Sequence, residues 1–339
     1  MRTKVASIMR PKVYVPLIIL IFLAAIPSLT SNSYVIHVLV LILFFGVLSE
    51  AWNILGGYAG QFSVGNSAFF GVGAFVSTLL FISWRISPWL GMFAGAGLAM
   101  VVAFIIGFLC FRLRGPFFSL ATIAFAEVLR LLFLNGGSLT GGTTGLSIPF
   151  TGDSLVNFQF LDRRSYYYII FVMLLATVYV TYRLRNSKLG LRFIAIREDE
   201  DAAESSGINV FRNKLVALAI SAFLTALAGT FYAQYIFFIH PDSTMSVDFS
   251  VEIALPAIIG GMGTIVGPLI GAFMLTPISE FTRALLGGGY SGVYLIIYGS
   301  LLILTLLLVP GGVAERIVKN YEAILRKLPG GRNNESARG

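Results

Sequence analysis

Cysteine occurs once in this chain, at Cys110 inside an apolar run, which excludes an internal disulfide and a thiolate metal cluster. Histidine occurs twice, at His37 and His240, too few and too far apart for a metal site. No stretch matches GxxxxGK[ST], so the chain carries no phosphate-cradling loop, and ATP-driven work would need another chain. HExxH and clustered aspartates are missing too, and Cys110 has no histidine near it in sequence. An intramembrane enzyme is therefore the weakest of the function classes. Charge is scarce: 12% of the 339 residues are charged, against about 25% in a soluble domain. The alternating strands of an outer-membrane barrel are absent as well.

What fills the chain instead is apolar sequence, 57% of all residues, in runs near twenty long. That pattern predicts an all-α, polytopic integral membrane protein surrounded by lipid. About ten transmembrane helices are expected, some of them short and broken by Gly or Pro. The spans read as Val13–Leu29, Tyr34–Leu55, Ser63–Trp84, Pro88–Phe111, Phe117–Leu134, Tyr166–Leu184 and Leu215–Phe238. A returning pair, Ser250–Met262 and Thr264–Leu285, and a last span, Tyr290–Val309, complete the membrane domain, 1–314. A basic tail follows over 315–339. The first run also fits a signal peptide; an uncleaved helix is the preferred expectation, because an inner-membrane protein needs no cleavage.

The net charge of +8 comes from Lys and Arg gathered at the ends of apolar runs. This is the positive-inside distribution of a membrane protein rather than a nucleic-acid surface. It places both termini and the segment Arg183–Lys214 on the cytoplasmic side.

Within that segment, Asn186–Lys214 holds five basic and five acidic residues, a quarter of all the charges in the chain. Such an island must sit in water between neighbours that sit in lipid. It contains Asp201-Ala202-Ala203 and, three residues on, Gly207, next to Glu200. A short helix of small residues ended by a glycine able to take positive φ suits a groove on a partner protein. A plain solvated loop fits the same composition.

The second informative stretch is WNILGGYAGQFSVGNSAFFGVGAF, from Trp52 to Phe75. Gly56-Gly57 and Gly60-Gln61 interrupt an apolar pattern, and Asn53, Gln61, Ser63 and Asn66 add polar groups. Small residues permit a tight helix interface. Broken backbone within a membrane must instead be buried in protein or line a polar cavity, where a helix end could face a substrate carboxylate. Both readings stand. A counterpart appears late, as Gly260-Gly261-Met262-Gly263, then Gly267-Pro268 and Gly271.

Glu127 and Arg130 lie three apart, on one helical face. Each charge costs roughly 2.5–3.5 kcal/mol at the bilayer centre, so that face should meet protein or a cavity. A structural ion pair near the outer interface and a substrate contact are both open for it. Glu50, one turn before Asn53, poses the same question. The candidate pathway residues are thus Glu50, Asn53, Gln61, Ser63, Asn66, Glu127 and Arg130.

Several stretches together resemble the permeases of ABC importers for branched-chain amino acids: GGYAGQFSVGNSAFFGVGAF, ATIAFAEVLRLLFLN with TGGTTGL, SKLGLRFIAIREDEDAAESSGI, and GGMGTIVGPLIGAF. The resemblance implies a non-catalytic subunit of the bacterial inner membrane with no cofactor or metal. It implies pairing with a homologous second permease, two ABC ATPase subunits and a periplasmic binding protein, and an amino-acid substrate. Glu200, Asp201, Ala202, Ala203 and Gly207 would dock the ATPase. Asp201 stands where the family's docking pattern has glutamate, and the later Ile-x-Leu-Pro is missing. Permeases for urea and short-chain amides look similar, and an ion-driven secondary transporter would also explain the breaks and buried charges, without the docking loop.

Overall fold

The computed structural model describes residues 22–30, 32–113, 115–137, 139–286 and 299–300. Helix α1, Ser33–Asn53, starts where the Asn32 side chain accepts from the Tyr34 N–H at 2.9 Å. From Val40 onward α1 is almost wholly buried, as expected of a helix apolar on every side. A π-helical turn over Ile54–Tyr58 follows, then a non-helical passage over residues 59–65.

The chain continues through α2 (Asn66–Trp84), α3 (Pro88–Cys110) and α4 (Pro116–Leu134). Both α3 and α4 open on proline, whose missing N–H costs nothing in a first turn. After an ordered loop come α5 (Arg163–Arg185), two short helices α6 (Lys188–Glu198) and α7 (Glu200–Ser205), and the long α8 (Val210–Ile236). A four-residue helix α9 (Pro241–Thr244) leads to α10 (Val247–Gly260) and α11 (Gly267–Leu286). The sheet found among the described residues is minimal: β1 (Leu146–Ser147) pairs antiparallel with β2 (Phe238–Ile239), Leu146 opposite Ile239.

Seven helices among the described residues are long and apolar enough to cross a membrane, and the protein is a multi-pass helical membrane protein. The expected returning pair is present as α10 and α11. Val13–Leu29 and Tyr290–Val309 lie largely outside the described residues, and the tail 315–339 wholly so.

Lipid offers little hydrophobic drive for helix association, so close packing must supply it. Helices α2, α3 and α8 meet through small residues. A Cβ on Gly73 would strike the backbone of Ala226, one on Gly229 the Phe70 carbonyl, and one on Gly95 the backbone of Gly73. The Thr230 hydroxyl donates to the Gly73 carbonyl at 3.2 Å across the same seam. A second core joins α1, α2, α5, α8 and α10 through Phe44, Phe70, Tyr166, Phe231 and Ile253. Helix α4 is peripheral, burying only Phe118, Thr122 and Ala126.

The loop between α4 and α5 is fastened at its far side. Trp89 stacks on Phe158 with ring centres 4.3 Å apart and donates to the Leu155 carbonyl at 2.7 Å. Its Gly141, Gly142 and Gly145 all have positive φ, which suits the turn-forming TGGTTG sequence.

Because the partner of Gly229 is a backbone oxygen, which cannot rotate away, Gly229→Leu should cost at least ~1–3 kcal/mol by overpacking. The thermal unfolding midpoint in detergent should fall, while Gly97→Leu, whose Cβ meets nothing within 4 Å, should leave it in place. Equal midpoints for the two variants would contradict glycine-dependent packing at this seam.

Candidate functional site

The first break is built by residues that fill or satisfy it. Gly56 lies under the Trp52 ring, and Gly57 sits against the Asn53 amide and the Gly263 N–H, leaving no room for a side chain at either. Gly60 takes φ +69 and has the Arg197 stem 2.8 Å from where its Cβ would be, so glycine is required there twice over. The Gln61 N–H still finds the Leu55 carbonyl, at 3.0 Å.

Side chains then satisfy the unwound backbone. The Trp52 indole donates to the Ser63 carbonyl at 2.7 Å, the Ser119 hydroxyl to the Phe62 carbonyl at 2.6 Å, and the Val64 N–H to the Thr122 hydroxyl at 3.1 Å. Two of these partners come from the start of α4. Interrupted backbone survives in a membrane protein when buried and paired in this way, and π-turns concentrate at functional positions.

The second break, between α10 and α11, turns on Gly261 at φ 124 and Gly263 at φ 72. Asn53 clasps it to the first: its Oδ1 accepts from the Gly263 N–H at 2.8 Å and its Nδ2 donates to the Thr264 carbonyl at 2.8 Å. More buried polar groups lie elsewhere in the bundle. Asn66 donates to the Ser221 hydroxyl at 3.1 Å, and Ser250 bonds both the N–H and the hydroxyl of Ser67. The Ser63 hydroxyl accepts from the Gly65 N–H at 3.3 Å. Glu50 is completely buried beside Asn53 and Thr181, and neither of its carboxylate oxygens closes a hydrogen bond of ordinary geometry.

The charged island meets the same place. The Arg197 guanidinium donates to the Gly57 carbonyl at 3.2 Å, Gln61 donates to Glu200 at 3.0 Å, and Glu200 pairs with Lys214. Asp199 caps α7, accepting from Asp201 and Ala202 at 2.9 and 3.0 Å, and Gly207 ends the turn at φ +80. The two alanines divide: Ala202 is open, whereas Ala203 is only 4% exposed and turned into the protein. Asp201 and Gly207 are exposed with Ala202.

Glu127 and Arg130 stand apart from this assembly. Arg130 holds Glu127 and also Asp242 of α9, with Glu127 and Asp242 side chains 40% and 53% exposed. Nearby, His240 contacts the Thr143 carbonyl at 3.0 Å. The structure therefore brings Glu50, Asn53, Gln61 and Ser63 to the first break, sets Asn66 against Ser221 at the start of α2, and leaves Glu127 and Arg130 in a separate ionic cluster. Arg197 and Lys214 join the first group without having been singled out in the sequence. A lysine opening a long apolar run and an arginine six residues before Ala203 were the available signals. No metal-binding group of three His, Cys, Asp or Glu occurs among the described residues.

Two helix breaks clasped to each other within an apolar, multi-pass bundle suit a transport protein. The model of the family described as the permease component of branched-chain amino acid transport systems matches residues 34–309, and the chain belongs to that family. It is similar to the high-affinity branched-chain amino acid permease protein LivM of Escherichia coli K12, 27% identical over 87% of this chain and 73% of the relative. It is also 27% identical to the LivH permease protein of the same strain, over 80% of this chain and 91% of that one. The ribose import permease protein RbsC of Bacillus subtilis is 29% identical over 57% of this chain and 59% of its own length. No solved structure matches.

Asn53→Leu would leave the Gly263 N–H and the Thr264 carbonyl unpaired in a part-buried place, at up to about 1–3 kcal/mol for each group. Glu127→Gln, in a part-exposed pair, should cost about 1 kcal/mol or less. Thermal midpoints in detergent should rank Asn53→Leu well below Glu127→Gln. The reverse ranking would mean that the clasp carries less of the structure than the outer ionic cluster.

Proposed function

We propose that this chain is the permease subunit of an ATP-driven importer for branched-chain amino acids. The observation that carries the reading is the direct bonding of the charged helices α6 and α7 to the helix break that follows α1. A subunit driven by a separate motor needs a water-exposed handle tied to the part of the bundle that must open, and Arg197, Glu200 and Gln61 make that connection. The substrate class is taken from the names of LivM and LivH.

In this reading α6 and α7 face the cytoplasm, where the excess of basic residues over Arg183–Lys214 belongs. Ala202, with Asp201 and Gly207 beside it, receives the ATPase, and Glu200 and Ala203 hold α7 on the bundle. A homologous second permease completes the pathway, two ABC ATPase subunits drive it, and a soluble binding protein delivers substrate at the opposite face, beside the α4–α5 loop. The chain itself catalyses nothing. Its task in the cycle is mechanical: to convert movement of the docking helices into separation of the two clasped breaks.

The test is uptake by vesicles holding the chain with the permease, ATPase and binding protein that co-purify with it. Labelled leucine should enter only with internal ATP, and labelled urea should stay out. Leucine uptake on an ion gradient without ATP, or uptake of urea alone, overturns the proposal. The purified chain alone should hydrolyse no ATP. Ala202→Trp should insert normally yet lose the ATPase subunits on purification; full retention would place the docking contact elsewhere.

A further inference from the structure

Deepening the importer reading, on which it rests, we propose that Lys214 and Arg197 are positioning residues that tie the docking helices to the first helix break. The two then move as one rigid body.

Lys214 lies in the second turn of α8, yet its side chain is only 2% exposed. Its ammonium pairs with Glu200 and lies 6.0 Å from the centre of the Phe111 ring. The Glu200 oxygen that meets Lys214 also accepts from Gln61 at 3.0 Å. One carboxylate thus joins α7, α8 and the unwound passage after the π-turn. Arg197, at the end of α6, makes the second tie. Its Nη1 donates to the Gly57 carbonyl at 3.2 Å, its stem fills the space beside Gly60, and the same nitrogen lies close to Gly263 of the second break. Its remaining nitrogens hold Glu198 at 3.1 and 2.5 Å, so the guanidinium is fixed in orientation.

A loop that only had to stay soluble would leave its lysines in water, because desolvating an ammonium is unfavourable unless the pairing geometry is good. Here the charge is drawn inward and used as a fastener between three segments. Arginine's rigid fork serves the same purpose at the carbonyl. Both ties end on the glycine-dependent turn at residues 57–61, which follows α1 and lacks regular α-helical bonds. A displacement of α6 and α7 therefore reaches the break through bonds that do not slacken, and through Gly263 it reaches both breaks.

The variants are Lys214→Met and Arg197→Met, separately and together. Methionine matches the length of each stem and suits the buried site of Lys214, while the carboxylates left behind, Glu200 and Glu198, are part-exposed and reach water. The first readout needs no partner: hydrogen exchange of the purified full chain in lipid nanodiscs. The double variant should raise exchange in the peptide covering Gly56–Gly65 by about tenfold, with the α2 peptide Phe70–Phe75 unchanged. Unchanged exchange over Gly56–Gly65 overturns the tie. The second readout uses the assembled importer. ATPase subunits should stay bound and hydrolyse ATP while leucine imported per ATP falls by about tenfold, the mark of lost coupling rather than lost assembly. Hydrolysis and import that fall together, or an import ratio that does not change, also overturn it. A parent assembly that imports nothing on ATP sinks the importer reading instead, and the exchange experiment then decides the tie by itself.

Discussion

A backbone amide or carbonyl that leaves a helix inside a lipid-facing bundle must find a partner within the protein. Most of the interior follows from this constraint. Two helix breaks expose such groups, and the side chain of Asn53 answers for both at once, accepting from Gly263 and donating to Thr264. Trp52, Ser119 and Thr122 complete the set around residues 62–64. The breaks are consequently ordered, and they are held against each other across 210 residues of chain.

The surroundings divide into a stiff part and a loose part. Helices α2, α3 and α8 touch backbone to backbone through Gly73, Gly95 and Gly229, and a seam of that kind has little freedom to adjust. Helix α4 buries three side chains and is held instead by polar contacts, at its start to the first break and further along through Arg130 and Asp242.

Much of this was legible in the sequence. The apolar runs, the charged island and the glycine interruptions each have a local cause, so α1 to α5, α8, the short helix at Glu200 and the returning pair α10–α11 follow from composition and spacing, whereas α6 (Lys188–Glu198) was not foreseen. Gly207 adopts the positive φ that its place after the small-residue helix called for. Long-range pairings were another matter. Nothing local marks Gly263 and Thr264 as partners of Asn53, or Asp242 as the third member of the Glu127–Arg130 cluster, because each pairing depends on how distant helices cross. The division between Ala202 and Ala203 likewise arises from the seat of α7 on the bundle. Lys214 read as one more basic residue at a membrane edge until its burial and its bond to Glu200 gave it a place.

The central claim is that the docking helices and the first break form one mechanical unit. Spin labels at Phe62 and Ser205, in a Cys110→Ala background that removes the single native cysteine, measure it by pulsed dipolar distance in the assembled importer. The Phe62–Ser205 distance should be the same in the nucleotide-free and ATP-bound states, while the Trp84–Ser205 distance, to the far end of α2, should change between them. A Phe62–Ser205 distance that changes with nucleotide while Trp84–Ser205 stays constant would contradict it.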